Sequence, residues 1–326
     1  MRFGTPAECS NFVAVQPLAG LLVVDLTRYL PGPSASRELM RLGARVTRLL
    51  PPGGDPLQEL APAWHDALND GKETLEVDLK AEPERGHALC ANADVVLESF
   101  RPGVVERLGI GPGQLPEKVV YCSFSGFGPG DQTAGHDLNY QGWAGVLADT
   151  APALPPVQIA DLGAALRAVA QILAALLDRE RTGRGGRVQI SLTHTAHELV
   201  SHRLGGEPFP RLLTGGLACY RIYATADGRH LTVAALEPKF FRRLCELIGR
   251  PELAGRQWDA EQEALAAELA EIVAAHPLET WLGIFEGEDV SVGPVSTLEE
   301  AAAQLGPSPS AAGSASRSGS RSGTSW

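Results

Sequence analysis

The sequence lacks the features of a secreted or membrane-bound protein. Its five cysteines include no CxxC pair, which argues against a zinc ribbon or a disulfide framework and predicts a reduced, cytoplasmic protein. The longest apolar stretch, residues 162–177, is interrupted by Arg167 and Gln171 and is shorter than the roughly 20 residues of a membrane span. The N-terminal residues contain no apolar core of signal-peptide type. We therefore expect no membrane partner.

An excess of positive charge is also absent. The chain has 28 lysine and arginine residues against 39 aspartate and glutamate residues, which gives a net charge of −11. The phosphate backbone of a nucleic acid is negative and attracts proteins with an excess of positive charge. The charge of this chain therefore argues against nucleic acid as the main partner. The length of 326 residues predicts about two domains with a sizeable core.

The first half of the chain alternates short β-rich runs with helical stretches. Continuous apolar strands separated by helices predict an α/β fold, with a parallel sheet that is covered on both faces. The first predicted helix covers residues 34–42, and a longer one, residues 161–179, begins at Asp161, whose side chain is expected to cap it. Strands are predicted at residues 21–26, 44–50, 74–79, 94–99, 119–123 and 188–192.

A second region follows a connection rich in glycine and proline, residues 205–216. A hairpin is predicted there, with strands 220–226 and 231–236 around an Asp-Gly turn, and helices follow to about residue 275 and at 278–285. The prediction is thus a Rossmann-like large domain over residues 1–205 and a smaller α+β domain over 206–305. The serine- and glycine-rich residues 306–326 are predicted to be a disordered tail.

Three places combine titratable residues with turn chemistry: the block GHDLNY at 135–140, Asp161 and Glu237. Each has a simpler structural interpretation. His136 can bond the backbone locally, Asp161 can cap a helix, and Glu237 can end a surface strand. From the residues alone, all three are therefore weak candidates.

A histidine-rich segment is a further candidate, for a metal site. It contains His194, His197, Glu198 and His202, and a spacing of three residues brings two imidazoles together on a helix. The pattern is not HExxH, so a solvated helix face is the favoured interpretation and no metal is predicted. No GxGxxG motif follows the first strand, which argues against a dinucleotide cofactor.

Several ordered blocks of the chain resemble the class III CoA-transferase (CaiB/BaiF) family. They are LAGLLVVDLTR at 18–28, LGA at 42–44, NDGK at 69–72, VDLK at 77–80, ADVVLESFRPG at 93–103 and RTGRG at 181–185. Two further blocks, GHDLNY at 135–140 and LEPKF at 236–240, are similar to the α-methylacyl-CoA racemase branch.

The resemblance implies a CoA-thioester site and roles for several residues. Asp161 corresponds to the family's catalytic aspartate, a nucleophile in the transferases and an acid/base in the racemases. His136 matches the second base of the racemases and Glu237 the carboxylate that supports it. CoA enters only as part of the substrate, and no permanently bound cofactor is expected. The family also implies an interlocked homodimer.

The predicted reaction moves a proton at the carbon next to a thioester carbonyl. It needs a base on one side, an acid on the other and donors for the enolate oxygen, which the backbone N–H groups of the helix beginning near Asp161 are expected to supply. Arg101 is the first candidate for a CoA phosphate contact, because a guanidinium presents a fork of donors. The weaker candidates for CoA binding are Arg28, Lys72 and Asp137.

The chain departs from the family pattern in three places. The run after the second strand, Arg48 to Pro52, lacks the family's basic residue near the proline, and the connection from Tyr140 to Asp161 is shorter than in the racemases. Family members also continue beyond about residue 305, where this chain has its serine-rich tail. Racemisation of a 2-methyl-branched acyl-CoA is therefore the leading hypothesis. CoA transfer through Asp161 and a catalytically impaired CoA-ester binder are the alternatives.

Overall fold

The computed structural model describes residues 15–305, which form two compact units, residues 15–202 and residues 203–305. The predicted tail 306–326 lies outside the described residues.

The first unit contains a six-stranded sheet in which all neighbouring strands are parallel, in the order β3-β2-β1-β4-β5-β6. Each predicted strand overlaps an observed one, so the prediction of an α/β fold with a parallel sheet is confirmed. The strands are β1 Leu22–Asp25, β2 Arg45–Leu50, β3 Glu73–Glu76, β4 Val95–Glu98, β5 Val120–Ser125 and β6 Arg187–Ser191.

Several helices of this unit begin with proline, which is well suited to the first turn because its missing N–H has no partner there. For this reason α1 begins at Pro31, three residues before the predicted Ser34. The helices are α1 Pro31–Arg41, α2 Pro56–Leu60, α3 Pro62–Asn69, α4 Pro83–Ala91, α5 Val104–Arg107, α6 Asp137–Ala144, α7 Ile159–Thr182 and α8 Leu192–Val200, followed by a 3₁₀ turn, Ser201–Gly205.

Alternate residues of the central strand β4 are buried on opposite faces of the sheet. Val95 and Leu97 belong to the core that also contains side chains of α1 and α7, whereas Val96 packs in the core with Cys90 of α4 and Val105 of α5. Both faces of β4 are therefore covered, whereas the edge strands β3 and β6 carry exposed polar residues.

Helix α7 is also long and apolar enough, by length and composition alone, to cross a membrane. Its buried positions Ala160, Ala164, Ala168, Ile172 and Leu176 pack in the core of the first unit. Core helices of globular proteins pass the same composition test, so this helix is weak evidence for a membrane span.

The second unit contains an antiparallel sheet of three strands in the order β7-β8-β9. The predicted hairpin is confirmed with shorter strands, and the three-residue β9 was not predicted. The elements are β7 Tyr220–Ala224, β8 His230–Ala234, α9 Pro238–Leu247, a 3₁₀ helix Pro251–Arg256, α10 Gln262–Val273, α11 Leu278–Ile284, β9 Val292–Pro294 and α12 Leu298–Leu305.

The strand order of the large sheet determines where a ligand can bind. From β1 the chain continues to β2 and β3 on one side, and from β4 to β5 and β6 on the other. In open α/β sheets, ligands bind in the crevice outside the carboxyl ends of the strands at such a switch point. Here the segments that follow β1 and β4 are residues 26–29 and 99–101.

Candidate active site

A cavity of about 380 Å³ lies at this switch point. Its wall includes segments that follow β1, β4 and β5 together with the start of α6 and the first turn of α7. Five of the seven predicted site residues therefore line one cavity: Arg28, Arg101, His136, Asp137 and Asp161.

Asp161 lies inside the first turn of α7 rather than at its cap. The helix begins at Ile159, and its first N–H groups are satisfied by a residue from an earlier part of the chain. Asp137 Oδ1 accepts hydrogen bonds from the N–H groups of Ala160 at 2.9 Å and of Asp161 at 3.0 Å. The predicted capping role of Asp161 is therefore wrong, because Asp137 performs it.

This arrangement also corrects the expected source of enolate stabilisation. The N–H groups of Ala160 and Asp161 donate to Asp137, and the N–H of Leu162 donates to the carbonyl of Gln158 at 3.0 Å. A carboxylate thus occupies donors that the sequence analysis assigned to the substrate.

The environment of Asp161 favours its protonated form. Its half-buried carboxyl is poorly solvated, and the charge of Asp137 repels a second negative charge nearby, so that burial first and Asp137 second raise the pKa of Asp161 to about 7. Near neutral pH this carboxyl exists in both protonation states. That is the property required of a group that both removes and returns protons.

His136 immediately precedes α6, and its imidazole is exposed at the cavity. The side-chain oxygen of Asn139 accepts a hydrogen bond from the backbone N–H of His136 at 3.0 Å, which fixes the backbone at this position. The structural interpretation of His136 as a residue at a helix start is thus correct for its backbone, while the ring remains at the cavity.

The loop of residues 125–130 packs against Tyr140 of α6. The Tyr140 hydroxyl donates to the carbonyl of Gly135 at 2.5 Å. A Cβ at Gly126 would lie 2.7 Å from Tyr140 Cε1, and one at Gly135 would lie 2.8 Å from the same atom. Both positions therefore require glycine for this close approach, which joins the loop to the cavity wall.

Cationic side chains lie at the same end of the sheet. Arg28 and Arg101 line the cavity and have no ion pair or side-chain hydrogen bond within residues 15–305. Arg28 also lines a second cavity, of about 710 Å³, whose wall includes Lys80 and Arg107. The sequence analysis missed Lys80 and Arg107. Pro51, near which the family pattern has a basic residue, lines this second cavity as well.

Lys72 has a different place from the one predicted. Its side chain is fully buried, and its ammonium donates to the carbonyl of Pro33 and to the side-chain oxygens of Ser36 and Asn69, at 2.8, 2.8 and 3.0 Å. An ammonium has three N–H groups, so none is left for a phosphate. Burial lowers the pKa of Lys72 to about 8. Lys72 is therefore a buried structural residue.

The two remaining candidates, Asp137 and Glu237, lie in different units of the protein. Asp137 lines the cavity, and both oxygens of its carboxylate already accept hydrogen bonds, Oδ1 from α7 and Oδ2 from the side-chain amide of Gln141. Glu237 belongs to the second unit, where it precedes Pro238 at the start of α9 and makes no capping hydrogen bond. Its predicted support of His136 stays a prediction.

The histidine-rich segment forms α8 and is held by ordinary contacts. His194 Nδ1 lies 2.7 Å from Ser191 Oγ, and His197 Nδ1 lies 3.0 Å from the carbonyl oxygen of Ala144. Glu198 forms an ion pair with Arg167. Within residues 15–305, no group of three or more metal-ligating side chains is present.

Comparisons with known proteins agree with this geometry. The chain is 34% identical to the α-methylacyl-CoA racemase of Mus musculus over 308 residues, covering 87% of this chain and 79% of the relative. It is 32% identical to the acetyl-CoA:oxalate CoA-transferase of Acetobacter aceti, covering 88% of this chain and 82% of the relative. The crystal structure of a CaiB/BaiF family protein from Brucella suis matches with a TM-score of 0.75 and 29% identity over 88% of this chain and 86% of that one.

The family model described as CoA-transferase family III matches residues 18–309, which is most of the chain. The resemblance found in the sequence is thereby confirmed. Relatives in this family include racemases and CoA-transferases, which are enzymes acting on acyl-CoA. The chain is an enzyme that belongs to CoA-transferase family III.

Proposed function

We propose that this enzyme racemises 2-methyl-branched acyl-CoA thioesters by proton transfer between His136 and Asp161. The observation that carries the proposal is that both side chains line the cavity at the carboxyl ends of β1, β4 and β5. The similarity to an α-methylacyl-CoA racemase supports the same reaction.

In this reaction one of the two groups removes the α-proton and the other returns a proton to the opposite face of the planar enolate. No bond to sulfur breaks, so the CoA thioester is conserved and only the configuration changes. Asp161, with its pKa near 7, can act in either direction at neutral pH. An imidazole is suited to the partner role because it is both a base and, once protonated, an acid in the same range.

The enolate oxygen and the phosphates of CoA both carry negative charge, which this end of the sheet can accept. Arg28 and Arg101 are available at the cavity, whereas the first N–H groups of α7 are occupied by Asp137. The second cavity shares Leu26, Arg28 and Phe100 with the first. We assign the CoA nucleotide to the second cavity, with Lys80 and Arg107 as phosphate contacts, and the thioester to the first.

Three further properties are part of the proposal and follow from the family resemblance. Glu237 orients His136, the protein is a homodimer, and it works in the cytoplasm. They are tested separately from the chemistry, by a Glu237→Gln variant, by sedimentation and by fractionation of expressing cells.

CoA transfer between an acyl-CoA and a free acid is the second candidate, supported by the similarity to an acetyl-CoA:oxalate CoA-transferase. In that reaction Asp161 attacks the thioester carbonyl, the carbon–sulfur bond breaks and a mixed anhydride forms on the enzyme. The CoA thiolate that leaves then attacks the Asp161 carbonyl of the anhydride, which releases the acid and forms an aspartyl-CoA thioester. Hydroxylamine would convert the Asp161 carboxyl of this thioester into a hydroxamate and borohydride would reduce it to an alcohol, whereas racemisation leaves Asp161 unmodified. A CoA-ester binder without either activity is the third candidate, and it would bind acyl-CoA without exchange or trapping.

The test compares α-proton exchange in deuterated water for the wild type, His136→Ala and His87→Ala. General acid–base catalysis contributes about 10²–10⁴-fold, so we expect His136→Ala to lose exchange by at least about 100-fold. His87 is a half-buried histidine of α4 whose Nε2 lies 3.0 Å from the carbonyl oxygen of Gln114, and it serves as the control. Unchanged exchange in His136→Ala would contradict the proposal.

The CoA assignment is tested by calorimetric titration of CoA into Lys80→Ala, Arg107→Ala and Arg28→Ala, because all three residues line the second cavity. Losing a charge-assisted hydrogen bond costs about 1.5–3 kcal/mol, so each variant should bind roughly 10- to 100-fold more weakly, with a shallower dependence on salt. Arg85→Ala removes an exposed arginine that pairs with Glu82 instead, and it should bind CoA as the wild type does.

A further inference from the structure

Tyr29, which the sequence analysis did not single out, forms part of the cavity wall next to His136. The two rings lie edge to face, with centroids 6.3 Å apart and an angle of 89° between their planes. The tyrosine is 48% exposed, and its hydroxyl has no hydrogen-bond partner within residues 15–305. The contact with His136 is therefore made by the aromatic ring alone.

The backbone at Tyr29 is strained. Its φ of 65° lies in the left-handed region, which is uncommon for residues other than glycine, asparagine and aspartate. Such strain persists only where the surrounding structure fixes it, and it is concentrated at functional sites.

The segments on both sides of Tyr29 are fixed in this way. Before it, the N–H of Leu26 donates to the carbonyl of Leu97 at 2.9 Å, and the N–H of Thr27 donates to the carboxylate of Asp25 at 2.8 Å. After it, Gly32 packs so tightly on Thr27 that an added Cβ would lie 2.1 Å from the threonine hydroxyl oxygen. The chain passes between these fixed points through Tyr29, whose left-handed backbone accompanies the placement of its ring beside His136.

We infer that Tyr29 is a positioning residue, whose ring, presented by a fixed backbone, orients the His136 imidazole. The inference rests on the proposed function, because it gives a role to the histidine that moves the proton. An exposed imidazole has several rotamers, and proton transfer requires the base within about 0.5 Å of its working position. An edge-to-face contact at a centroid distance of 4.5–7 Å restricts that freedom.

The test uses three variants that separate ring, hydroxyl and strain. Tyr29→Phe keeps the ring and should retain the wild-type rate of α-proton exchange within about twofold. Tyr29→Ala removes the ring and should lower kcat about 10- to 100-fold, with KM for the acyl-CoA changed by less than about threefold. Tyr29→Gly also relieves the strained φ, so its Tm should equal or exceed that of the wild type while its kcat is as low as that of Tyr29→Ala.

A second measurement does not depend on activity. The His136 ring signals, assigned with His136→Ala in protein labelled with ¹³C-histidine, should move in Tyr29→Ala and stay in place in Tyr29→Phe. If the wild type shows no α-proton exchange, the proposed function fails, whereas this spectroscopic comparison still tests the contact. The inference is overturned if Tyr29→Ala keeps the wild-type kcat or if kcat falls as much in Tyr29→Phe as in Tyr29→Ala. It is also overturned if the His136 ring signals do not move in Tyr29→Ala.

Discussion

The most informative perturbation is Asp137→Asn, because Asp137 has two separable effects on Asp161. Its carboxylate caps α7 by accepting the N–H groups of Ala160 and Asp161, and its charge adds to burial in raising the pKa of Asp161. An asparagine oxygen can keep the two hydrogen bonds, but an amide carries no charge. The substitution should therefore leave the geometry in place and lower the pKa of Asp161.

The side chain of Gln141 can adapt to the Asp137→Asn substitution, so that two NH₂ groups do not face each other. Its amide nitrogen donates to Asp137, while its amide oxygen is buried and has no partner within the described residues. A flip of the Gln141 amide would present that oxygen to the new asparagine NH₂ group. The number of unsatisfied polar atoms would then stay the same.

The size of the effect follows from the causes of the shift. A like charge at short range raises the pKa of a carboxyl by roughly 1–3 units, and here it is the smaller cause after burial. We therefore expect the pKa of Asp161 to fall by about one unit in Asp137→Asn, equivalent to about 1.4 kcal/mol. At pH 6, the ionised fraction of Asp161 should rise from about one tenth to about one half.

The assay is a ¹³C NMR titration of the aspartate carboxyl carbons, with Asp161 assigned by difference against Asp161→Asn. The pH profile of kcat/KM should move in parallel, since it reports the groups of the free enzyme. Asp137→Ala is the contrasting variant, because it also removes the cap and should cost about 0.5–2 kcal/mol of stability. A wild-type midpoint near 4, or one that Asp137→Asn leaves unchanged, would refute the reasoning.

Four further substitutions test other parts of the account. The fold raises the pKa of Asp161 from 3.8 to about 7, so the folded protein keeps a proton that the unfolded chain has lost, and stability falls as pH rises through that range. The free energy of unfolding in urea should therefore be about 2–4 kcal/mol higher for Asp161→Asn than for the wild type at pH 8, and nearly equal at pH 4. An equal gain in stability at both pH values would contradict this explanation. Lys72→Met leaves buried Asp25 without its cation and should lower the free energy of unfolding by about 3–5 kcal/mol. The affinity for CoA, measured by calorimetry, should not change. Weaker CoA binding by the folded variant would instead show that Lys72 contacts a CoA phosphate. Gly126→Ala, which would clash with Tyr140, should lower the rate of α-proton exchange at least about tenfold. The control is Gly142→Ala, in open space on α6, which should stabilise the protein by about 0.5–1 kcal/mol and keep its activity. Equal activities of the two variants would show that the close approach of Gly126 to Tyr140 is dispensable.

The parts of the fold that the sequence predicts well depend on local pattern. Continuous apolar runs such as Leu22–Asp25 and Val95–Glu98 can be buried on both faces only in a covered parallel sheet. The wide apolar stripe of α7 similarly predicts a core helix. The short strand β9 has only three residues and no periodicity to detect.

The site depends on contacts between distant parts of the chain, which local patterns do not contain. Asp137 caps α7, which begins 22 residues later in the chain. The local sequence indicates Asp161 instead, because Asp161 is the acidic residue nearest the start of this helix. Lys72 meets acceptors in α1 and α3, and its burial is invisible in its own surroundings. The family resemblance supplied the site residues, whereas the division of labour between Asp137 and Asp161 became evident only in the structure.

The most direct test of the central claim is proton NMR of the wild-type enzyme with a single enantiomer of a 2-methylacyl-CoA in deuterated water. Proton transfer between His136 and Asp161 predicts loss of the α-proton signal, a mixture of configurations in the recovered thioester and no trapped acyl enzyme. An α-proton that persists, together with conversion of Asp161 to a hydroxamate by hydroxylamine, would contradict racemisation and identify the enzyme as a CoA-transferase.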